Sequence, residues 1–285
     1  KPSTIHDHVC KDFAGQKRAY AGDEFVNGRL ERPFTQDMEY LPFLDIVDAT
    51  LAREKDFLYF TLAMVAPPEE FAGGPVMYGI EMDEDFDGRG DYLLLTFTPP
   101  GREWTQDGVQ VWMDGDDSVG GVTPVRSDPP FGGGNGYETL VFDAGRAADP
   151  DLAWSRLDPD DDTRINLALK LSLFGGDQVF TWGAFVDGAI RDPGAFDLND
   201  RFSIEDAGSA LKESEYYPLK NFYAFDNTCR AASGYVSQGG EPGICPVFQP
   251  KIEEEAPGRN CRCTAWSGSS PTHVGSRVCL TWVCN

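Results

Sequence analysis

The sequence predicts an all-β protein: an antiparallel, jelly-roll-like β-sandwich with long loops and a small, disulfide-stapled C-terminal tail. Three observations predict this fold. The middle of the chain contains about eight short apolar or alternating segments of strand length. Glycine and proline pairs separate these segments as turns and loops. Few stretches carry the 3.6-residue period of an amphipathic helix, and this combination is typical of a sandwich.

The predicted strands begin with one within Tyr40–Leu51 and end with Gln178–Val186. Between them we expect further strands at Asp56–Ala66, Pro75–Met82, Asp91–Thr98, Gly108–Met113, Tyr137–Asp143 and Arg164–Leu173. Asp56–Ala66 is apolar on both faces, which predicts either a central strand buried on both sides or a strand under a covering loop. Short helical turns are expected at Asp151–Leu157 and Ile204–Gly208.

Composition narrows the class of protein. Apolar residues make up 41% of the 285 residues and aromatic residues 12%, which excludes wholesale disorder. No apolar run approaches the roughly 18–20 residues that a membrane-spanning helix needs, so we expect no membrane insertion. The chain begins at Lys1 without an apolar leader, and we expect an exported protein whose signal peptide has been removed.

The charge of the chain is strongly negative. It contains 47 acidic and 24 basic residues, for a formal net charge of −23. Nucleic acids and anionic membranes attract clustered basic residues, so both are disfavoured as partners. Cations are the natural partners of such a chain. Alternatively, the acidic surface serves only to keep an exported protein soluble.

We expect three parts: an N-terminal segment (1–40), a sandwich domain with a loop-rich C-terminal part (41–250) and a cysteine-rich tail (251–285). Six of the seven cysteines lie in the C-terminal part of the chain, in Gly-, Pro- and Ser-rich sequence. This clustering predicts disulfide bonds and therefore an oxidising, extracellular compartment. Cys229 and Cys245 are expected to pair and close a loop.

The tail contains enough cysteines for two further disulfide bonds, with the pairing left open: Cys261, Cys263, Cys279 and Cys284. A zinc site is the rival interpretation, but the Cys261-x-Cys263 spacing is tighter than that of a usual zinc knuckle. The odd cysteine is Cys10. It is expected to be unpaired or to form a disulfide bond with another chain.

The segment from Asp83 to Asp91 is the strongest candidate site. Asp83, Asp85 and Asp87 alternate, Gly88 follows where the loop must turn, and Asp91 comes three residues later. This is the pattern of the first half of an EF-hand loop, whose oxygen ligands suit Ca²⁺. The bidentate glutamate of such a loop is missing, and strands flank it. We predict a calcium loop between two strands, with a solvated acidic hairpin as the alternative.

A second acidic loop runs from Asp114 to Gly121. Asp114 and Asp116 could hold a second ion or share the first from an adjacent loop. The run Asp158–Asp162 is more typical of a solvated loop, because consecutive acids point in different directions.

No catalytic motif is evident. The three histidines are His6, His8 and His273, all in terminal segments. His6, His8 and Cys10 have a spacing that could ligate a transition metal, but the pattern favours an exposed terminus. Because no residue pair is singled out for catalysis, we predict that the protein is not an enzyme. A glycoside hydrolase needs only two carboxylates and remains an alternative.

Aromatic residues allow two interpretations. Trp112 and Trp182 lie in predicted strands and are expected in the core. Trp104 and the pair Tyr216–Tyr217 lie in predicted loops. They could form a platform on which sugar rings stack, or they could seal an edge of the sandwich.

Four segments in succession resemble a known group of domains: Asp56–Phe60, Tyr78–Asp83, Asp87–Asp91 and Asp116–Gly121. They are similar to exported bacterial β-sandwich domains of the DOMON-like and family 9 carbohydrate-binding-module group, over roughly Asp45–Val186. The resemblance implies a sandwich fold and a domain that binds sugars, haem or calcium, or that serves as a surface module. None of the predicted strands contains a histidine that could ligate haem.

The predicted function is that of a secreted, calcium-stabilised, non-catalytic structural subunit of a cell-surface or extracellular assembly. Cys10 near one end could link copies of the chain into a filament-like assembly, and the small tail needs a surface on which to dock. One alternative is a carbohydrate-binding module, which predicts exposed coplanar aromatic rings. The other is a secreted glycoside hydrolase. The expected partners are copies of the chain itself, or glycans.

Overall fold

The structure is a computed structural model. It describes residues 2–20, 23, 28–97, 99, 101–120, 126–127, 135–175, 178–198 and 203–246, together with the backbone of 261–266 and 279–284. The chain divides into two compact units, Lys1–Cys245 and Pro246–Asn285.

The first unit is built from two antiparallel sheets. The five-stranded sheet contains, in spatial order, β1 (Ser3–His6), β3 (Ile46–Glu54), β4 (Phe57–Met64), β10 (Arg164–Lys170) and β9 (Ala153–Leu157). The larger sheet contains, in spatial order, β2 (Glu31–Arg32), β12 (Phe225–Asn227), β11 (Phe180–Asp187), β5 (Met77–Asp83), β6 (Tyr92–Phe97), β7 (Val109–Met113) and β8 (Thr139–Asp143). A further strand, β13 (Ala231–Ser233), also pairs with β11.

The main core lies between the two sheets. Alternate residues of β4 point into it, among them Leu58, Phe60 and Leu62, while Phe57 and Tyr59 are half-buried on the outer face. The ring of Phe60 meets that of Trp182 from β11 edge-on, with centroids 5.5 Å apart. Each large apolar side chain buried in this way contributes about 1.5–3 kcal/mol to stability. The predicted antiparallel β-sandwich is confirmed, as is the core position of Trp182; Trp112 is only half-buried.

The larger sheet is covered on its second face as well. Phe196 and Phe222, which lie in the segments that follow β11, pack against Phe185 and Phe225 of this sheet. All residues of β5 and β11 are therefore buried. Of the two alternatives predicted for Asp56–Ala66, burial on both sides is wrong for β4: its outer face is half-buried, and Trp104 from a neighbouring loop lies against Tyr59 on that face.

Of the two helical turns predicted from the sequence, one is present and the other is not. The helical turn predicted near Ile204 is confirmed as α2 (Ile204–Ala207), whose first turn is capped by the Ser203 hydroxyl at 3.1 Å from the Asp206 amide. The turn predicted at Asp151–Leu157 is wrong, because this segment is β9. In β9, which pairs with β10, burial alternates along the strand. Ser155 faces the core, and Trp154 and Arg156 face outward.

The N-terminal segment, predicted as a separate part, contributes one strand to each sheet. β1 pairs with β3, and β2 pairs with β12. Between β1 and β2 lies a short helix of one turn, α1 (Lys11–Ala14). Within the described part of the chain, no helix is long and apolar enough to cross a membrane.

The predicted bond between Cys229 and Cys245 is present near the end of the first unit. The second unit contains the antiparallel strands β14 (Cys261–Trp266) and β15 (Cys279–Cys284), in which Cys261 lies opposite Cys284. The disulfide bonds predicted among Cys261, Cys263, Cys279 and Cys284 concern side chains that lie outside the described residues.

Candidate functional site

The two acidic loops lie side by side at one end of the larger sheet. The first joins β5 to β6, and the second follows β7. The Asp114 amide donates a hydrogen bond of 2.9 Å to the Asp91 carbonyl and so joins the two loops. This adjacency follows from the pairing of β6 with β7, which brings Tyr92 opposite Met113.

Asp83 is the buried anchor of the first loop. Its Oδ1 accepts a hydrogen bond from the Phe86 amide at 2.6 Å, and its Oδ2 accepts one from the Gly88 amide at 3.0 Å. Arg230 donates to the same Oδ2 at 2.8 Å. Burial raises the pKa of Asp83 to about 6, and the charge of Arg230 opposes this rise.

Three of the four predicted ligands of the first loop come together. Asp83, Asp85 and Asp91 each have a carboxylate oxygen within 4.8 Å of the others. Asp87 is not in this group: it accepts the Arg89 amide at 2.8 Å and pairs with the Arg89 side chain at 3.7 Å. Three converging carboxylates suit a hard cation, although Asp83 already has Arg230 as its counter-ion.

The second loop gathers Asp114, Asp116 and Glu138, again with one oxygen of each within 4.8 Å of the others. Glu138 was not predicted from the sequence. Its Oε2 accepts the Gly115 amide and its Oε1 accepts the Ser118 hydroxyl, both at 3.0 Å. Asp114 caps the loop by accepting the Val119 amide at 2.9 Å, so its role is partly structural.

Arg230 was also missed by the sequence analysis. It is 8% exposed and makes ion pairs with Glu81 at 2.7 Å and with Asp83 at 2.8 Å. The Tyr137 hydroxyl donates to the remaining oxygen of Glu81 at 2.7 Å. Two buried carboxylates therefore share one guanidinium beneath the acidic loops, which holds the end of β5 in place.

A different feature occupies the outer face of the five-stranded sheet. Tyr59, Ala168 and Trp154 lie directly opposite one another on β4, β10 and β9. The small side chain of Ala168 leaves a trough between the two aromatic rings. Phe57, Tyr59, Trp104, Trp154 and Ala168 line this open groove, which has a volume of about 220 Å³.

Trp104 reaches the groove from a neighbouring loop. Backbone hydrogen bonds in both directions join Thr105 to Ser155 of β9, at 2.8 and 2.9 Å. They hold Trp104 with its ring centroid 6.1 Å from that of Tyr59. The Arg156 guanidinium lies 4.4 Å above the Trp104 ring, a cation–π contact that orients the indole.

Polar groups surround the aromatic rings. The Trp154 indole donates to Asp151 at 2.8 Å. On one flank, the Thr61 hydroxyl donates to Asn166 at 2.8 Å. On the other, Lys170 pairs with Asp149 at 2.9 Å. Aromatic rings rimmed by hydrogen-bonding groups are characteristic of ligand-binding grooves.

The other sequence candidates lie elsewhere. Tyr217 donates its hydroxyl to the Lys17 carbonyl at 2.8 Å, and the ammonium of Lys220 lies 5.7 Å from the Tyr216 ring centroid. Neither tyrosine lines the groove. The prediction that the segment containing His6, His8 and Cys10 is exposed is wrong for Cys10. This residue is fully buried and its thiol forms no disulfide bond. An inter-chain disulfide bond at Cys10 would require the N-terminal segment to detach.

Comparisons of the chain with protein-family models, with characterised proteins and with solved structures give no match. The resemblance to DOMON-like and family 9 carbohydrate-binding domains therefore remains a prediction.

Proposed function

We propose that the protein is a secreted, non-catalytic glycan-binding module. The observation that supports this proposal is the row Tyr59–Ala168–Trp154 with Trp104 beside it, on the open face of the five-stranded sheet. A pyranose ring with equatorial hydroxyls has an apolar face of C–H groups, and an aromatic ring is the apolar, electron-rich surface on which it stacks.

The groove fits a chain of sugars better than an enclosed small molecule. Its volume of about 220 Å³ is below the roughly 300–1,000 Å³ of pockets that enclose drug-sized ligands. Four of its five lining residues lie on strands, and Trp104 is held by the backbone pairing of Thr105 with Ser155, so the rings are in place before ligand arrives. Such preorganisation reduces the entropy lost on binding. The Arg156 guanidinium, which lies over the Trp104 ring, is placed to contact sugar hydroxyls.

Replacing Trp104 or Tyr59 with alanine should weaken glycan binding at least tenfold, because truncating an anchoring aromatic residue costs about 2 kcal/mol or more. The probes are hydroxyethylcellulose, xylan and laminarin in affinity gel electrophoresis, followed by calorimetry with cellohexaose. Filling the trough with Ala168→Gln should have the same effect as removing a ring.

Tyr216→Ala is the matched control, because it removes a half-buried tyrosine that does not line the groove. It should bind as the unmodified protein does. Failure of the unmodified protein to bind any of these polysaccharides would refute the glycan proposal. Equal losses in Tyr216→Ala and Trp104→Ala would also count against the groove.

We further propose that calcium stabilises the acidic loops. Chelation should lower the melting temperature, because an ion that binds only the folded state stabilises it by mass action. Asp85→Asn combined with Asp91→Asn should reduce this sensitivity, whereas Asp160→Asn, in a different acidic loop, should leave it unchanged. A melting temperature that chelator leaves unchanged in the unmodified protein would contradict calcium binding.

The role of a self-associating structural subunit remains a prediction, and the same samples can be used to test it. Light scattering under non-reducing conditions with calcium measures the mass of the particles. A large polymer would favour the filament-like subunit, whereas a monomer that binds polysaccharide would favour the glycan-binding module.

A further inference from the structure

The aromatic rings of the groove on the five-stranded sheet are inclined to one another. Phe57, Tyr59, Trp104 and Trp154 line the groove around Ala168. The planes of Phe57 and Tyr59 are tilted by 37°, with ring centroids 6.1 Å apart, and the planes of Tyr59 and Trp104 are tilted by 57°. The face of an aromatic ring carries the negative part of its quadrupole, so rings that surround a small volume attract a cation as well as an apolar surface.

The edge of the groove at Trp154 is acidic. The Trp154 indole donates to Asp151 Oδ1 at 2.8 Å, so this carboxylate lies at the edge of a ring that lines the groove. The Asp151 side chain is 52% exposed and can therefore meet a ligand. Asp149 and Asp151 share one ammonium, that of Lys170, at 2.9 and 3.6 Å. Two carboxylates beside one cation leave a net charge of −1 on this flank.

The charges on the opposite flank offset each other. The Arg156 guanidinium lies over the Trp104 ring, and Asn166 is directly opposite Arg156 in the pair of β10 with β9. Asn166 donates to Asp158 at 3.0 Å, and the charges of Asp158 and Arg156 interact. The excess negative charge at Trp154 is therefore not cancelled from this side. The net charge of −23 on the whole chain also favours the approach of a cationic ligand.

We infer that the groove binds an amino-sugar polymer, a glycan that carries primary ammonium groups, and this inference depends on the proposed glycan-binding function. The rings accept the apolar faces of the sugars, as they would for a neutral chain. An ammonium group on the same sugar adds a cation–π contact with a ring and an ion pair with Asp151. A neutral sugar lacks both contacts, and the carboxylates at Trp154 repel an acidic sugar.

The test compares hexasaccharides that share one β-1,4-linked backbone. The second carbon of each ring carries an ammonium group in the glucosamine hexamer, an acetamide group in the N-acetylglucosamine hexamer and a hydroxyl group in cellohexaose. At a pH where the amines are protonated, calorimetry should show the glucosamine hexamer bound about two- to fivefold more tightly than the other two, as expected of an exposed cation–π contact. High salt should reduce this preference, because it screens exposed charges.

Asp151→Asn should remove most of the preference for the glucosamine hexamer and leave the affinity for cellohexaose unchanged. The asparagine keeps an oxygen that can accept the Trp154 indole hydrogen bond, so the variant changes the charge and not the position of the ring. Asp85→Asn, measured with chelator present, is the matched control. It removes the same charge from the loop between β5 and β6, on the other sheet, and should retain the preference.

Trp104→Ala tests whether the amino sugar binds in the groove. It should weaken the binding of the glucosamine hexamer and of cellohexaose alike. Tyr59→Ala replaces it if Trp104→Ala does not fold, as judged by circular dichroism. If the groove variant binds the glucosamine hexamer as tightly as the unmodified protein does, the attraction is to the acidic surface in general, and the inference is overturned.

Failure of this inference and failure of the proposed function give different results. Equal affinity for the glucosamine hexamer and cellohexaose, or an undiminished preference in Asp151→Asn, would overturn the inference and leave a glycan-binding module. Binding of xylan or laminarin without the glucosamine hexamer would do the same. A protein that binds none of these polysaccharides and hexamers would refute the proposed function itself.

Discussion

Replacing Arg230 with methionine is expected to lower the free energy of unfolding by about 3–5 kcal/mol, because it leaves two buried carboxylates without their cation. Arg230 contacts both Glu81 and Asp83 at less than 3 Å, and these residues are 5% and 1% exposed. Methionine keeps the length of the side chain, so the loss measures charge and hydrogen bonding more than volume. Urea denaturation with a fixed m-value gives the change directly.

The controls for Arg230 distinguish a buried ion pair from a surface one. Arg164→Met removes an exposed arginine that pairs with Asp161 at 3.1 Å and should cost less than about 1 kcal/mol. Adding Glu81→Gln and Asp83→Asn to Arg230→Met should recover part of the lost stability, because the stranded charges are then gone. No recovery would mean that Arg230 acts through packing instead.

The effect of Arg230 should be localised to one end of the molecule. Its Nη1 also donates a hydrogen bond of 3.3 Å to the Arg89 carbonyl, so Arg230 contacts the backbone of the first acidic loop. Hydrogen exchange should therefore accelerate first around Asp83–Asp91 in Arg230→Met. If the groove around Tyr59 binds glycans as proposed, that binding should persist where the variant remains folded, because the groove lies on the other sheet.

The strands could be predicted because their signals are local. The apolar stretch around Phe60 and the turns that bound it are adjacent in the chain, and β4 was placed to within a few residues. The segment around Trp154 was predicted wrongly. Asp149–Asp151 resembles the start of a helix, and this signal was given more weight than the period-two alternation of apolar and polar residues from Ala153 to Leu157. That alternation was the signal that could have placed Trp154 on an outer sheet face.

The sites could not be predicted because register and long-range pairing create them. Arg230 is 147 residues from Asp83, and no spacing rule connects them. The trough at Ala168 exists only because this small residue lies between Tyr59 and Trp154 across three strands. The acidic loop was predictable from its spacing, but its division into the buried anchor Asp83 and the more exposed carboxylates Asp85 and Asp91 was not.

Arg32 is the second residue whose loss should be severe, because it joins three distant segments of the chain. Its guanidinium binds Asp23 through two hydrogen bonds, at 2.7 and 2.8 Å. It also donates to the carbonyls of Ala207, Gly208 and Phe222. The planar fork of arginine matches such a set of acceptors, and lysine cannot.

Arg32→Met should therefore lower the free energy of unfolding by about 3–5 kcal/mol, since one buried carboxylate and three carbonyls lose their donor. Arg32→Lys should recover only part of this loss, because it restores the charge but not the fork. Arg146→Met, which removes an arginine that is 77% exposed, serves as the control and should change stability by less than about 1 kcal/mol.

The pattern of damage should differ from that of Arg230→Met. The segments that Arg32 holds include α2 and Phe222, which cover the second face of the larger sheet. Loss of the Arg32 hydrogen bonds should loosen these covering segments first. Amide hydrogen exchange should therefore accelerate in residues 203–225 before it accelerates in the core between the sheets. Exchange that accelerates uniformly would instead mean that the covering layer and the sandwich unfold as one cooperative unit.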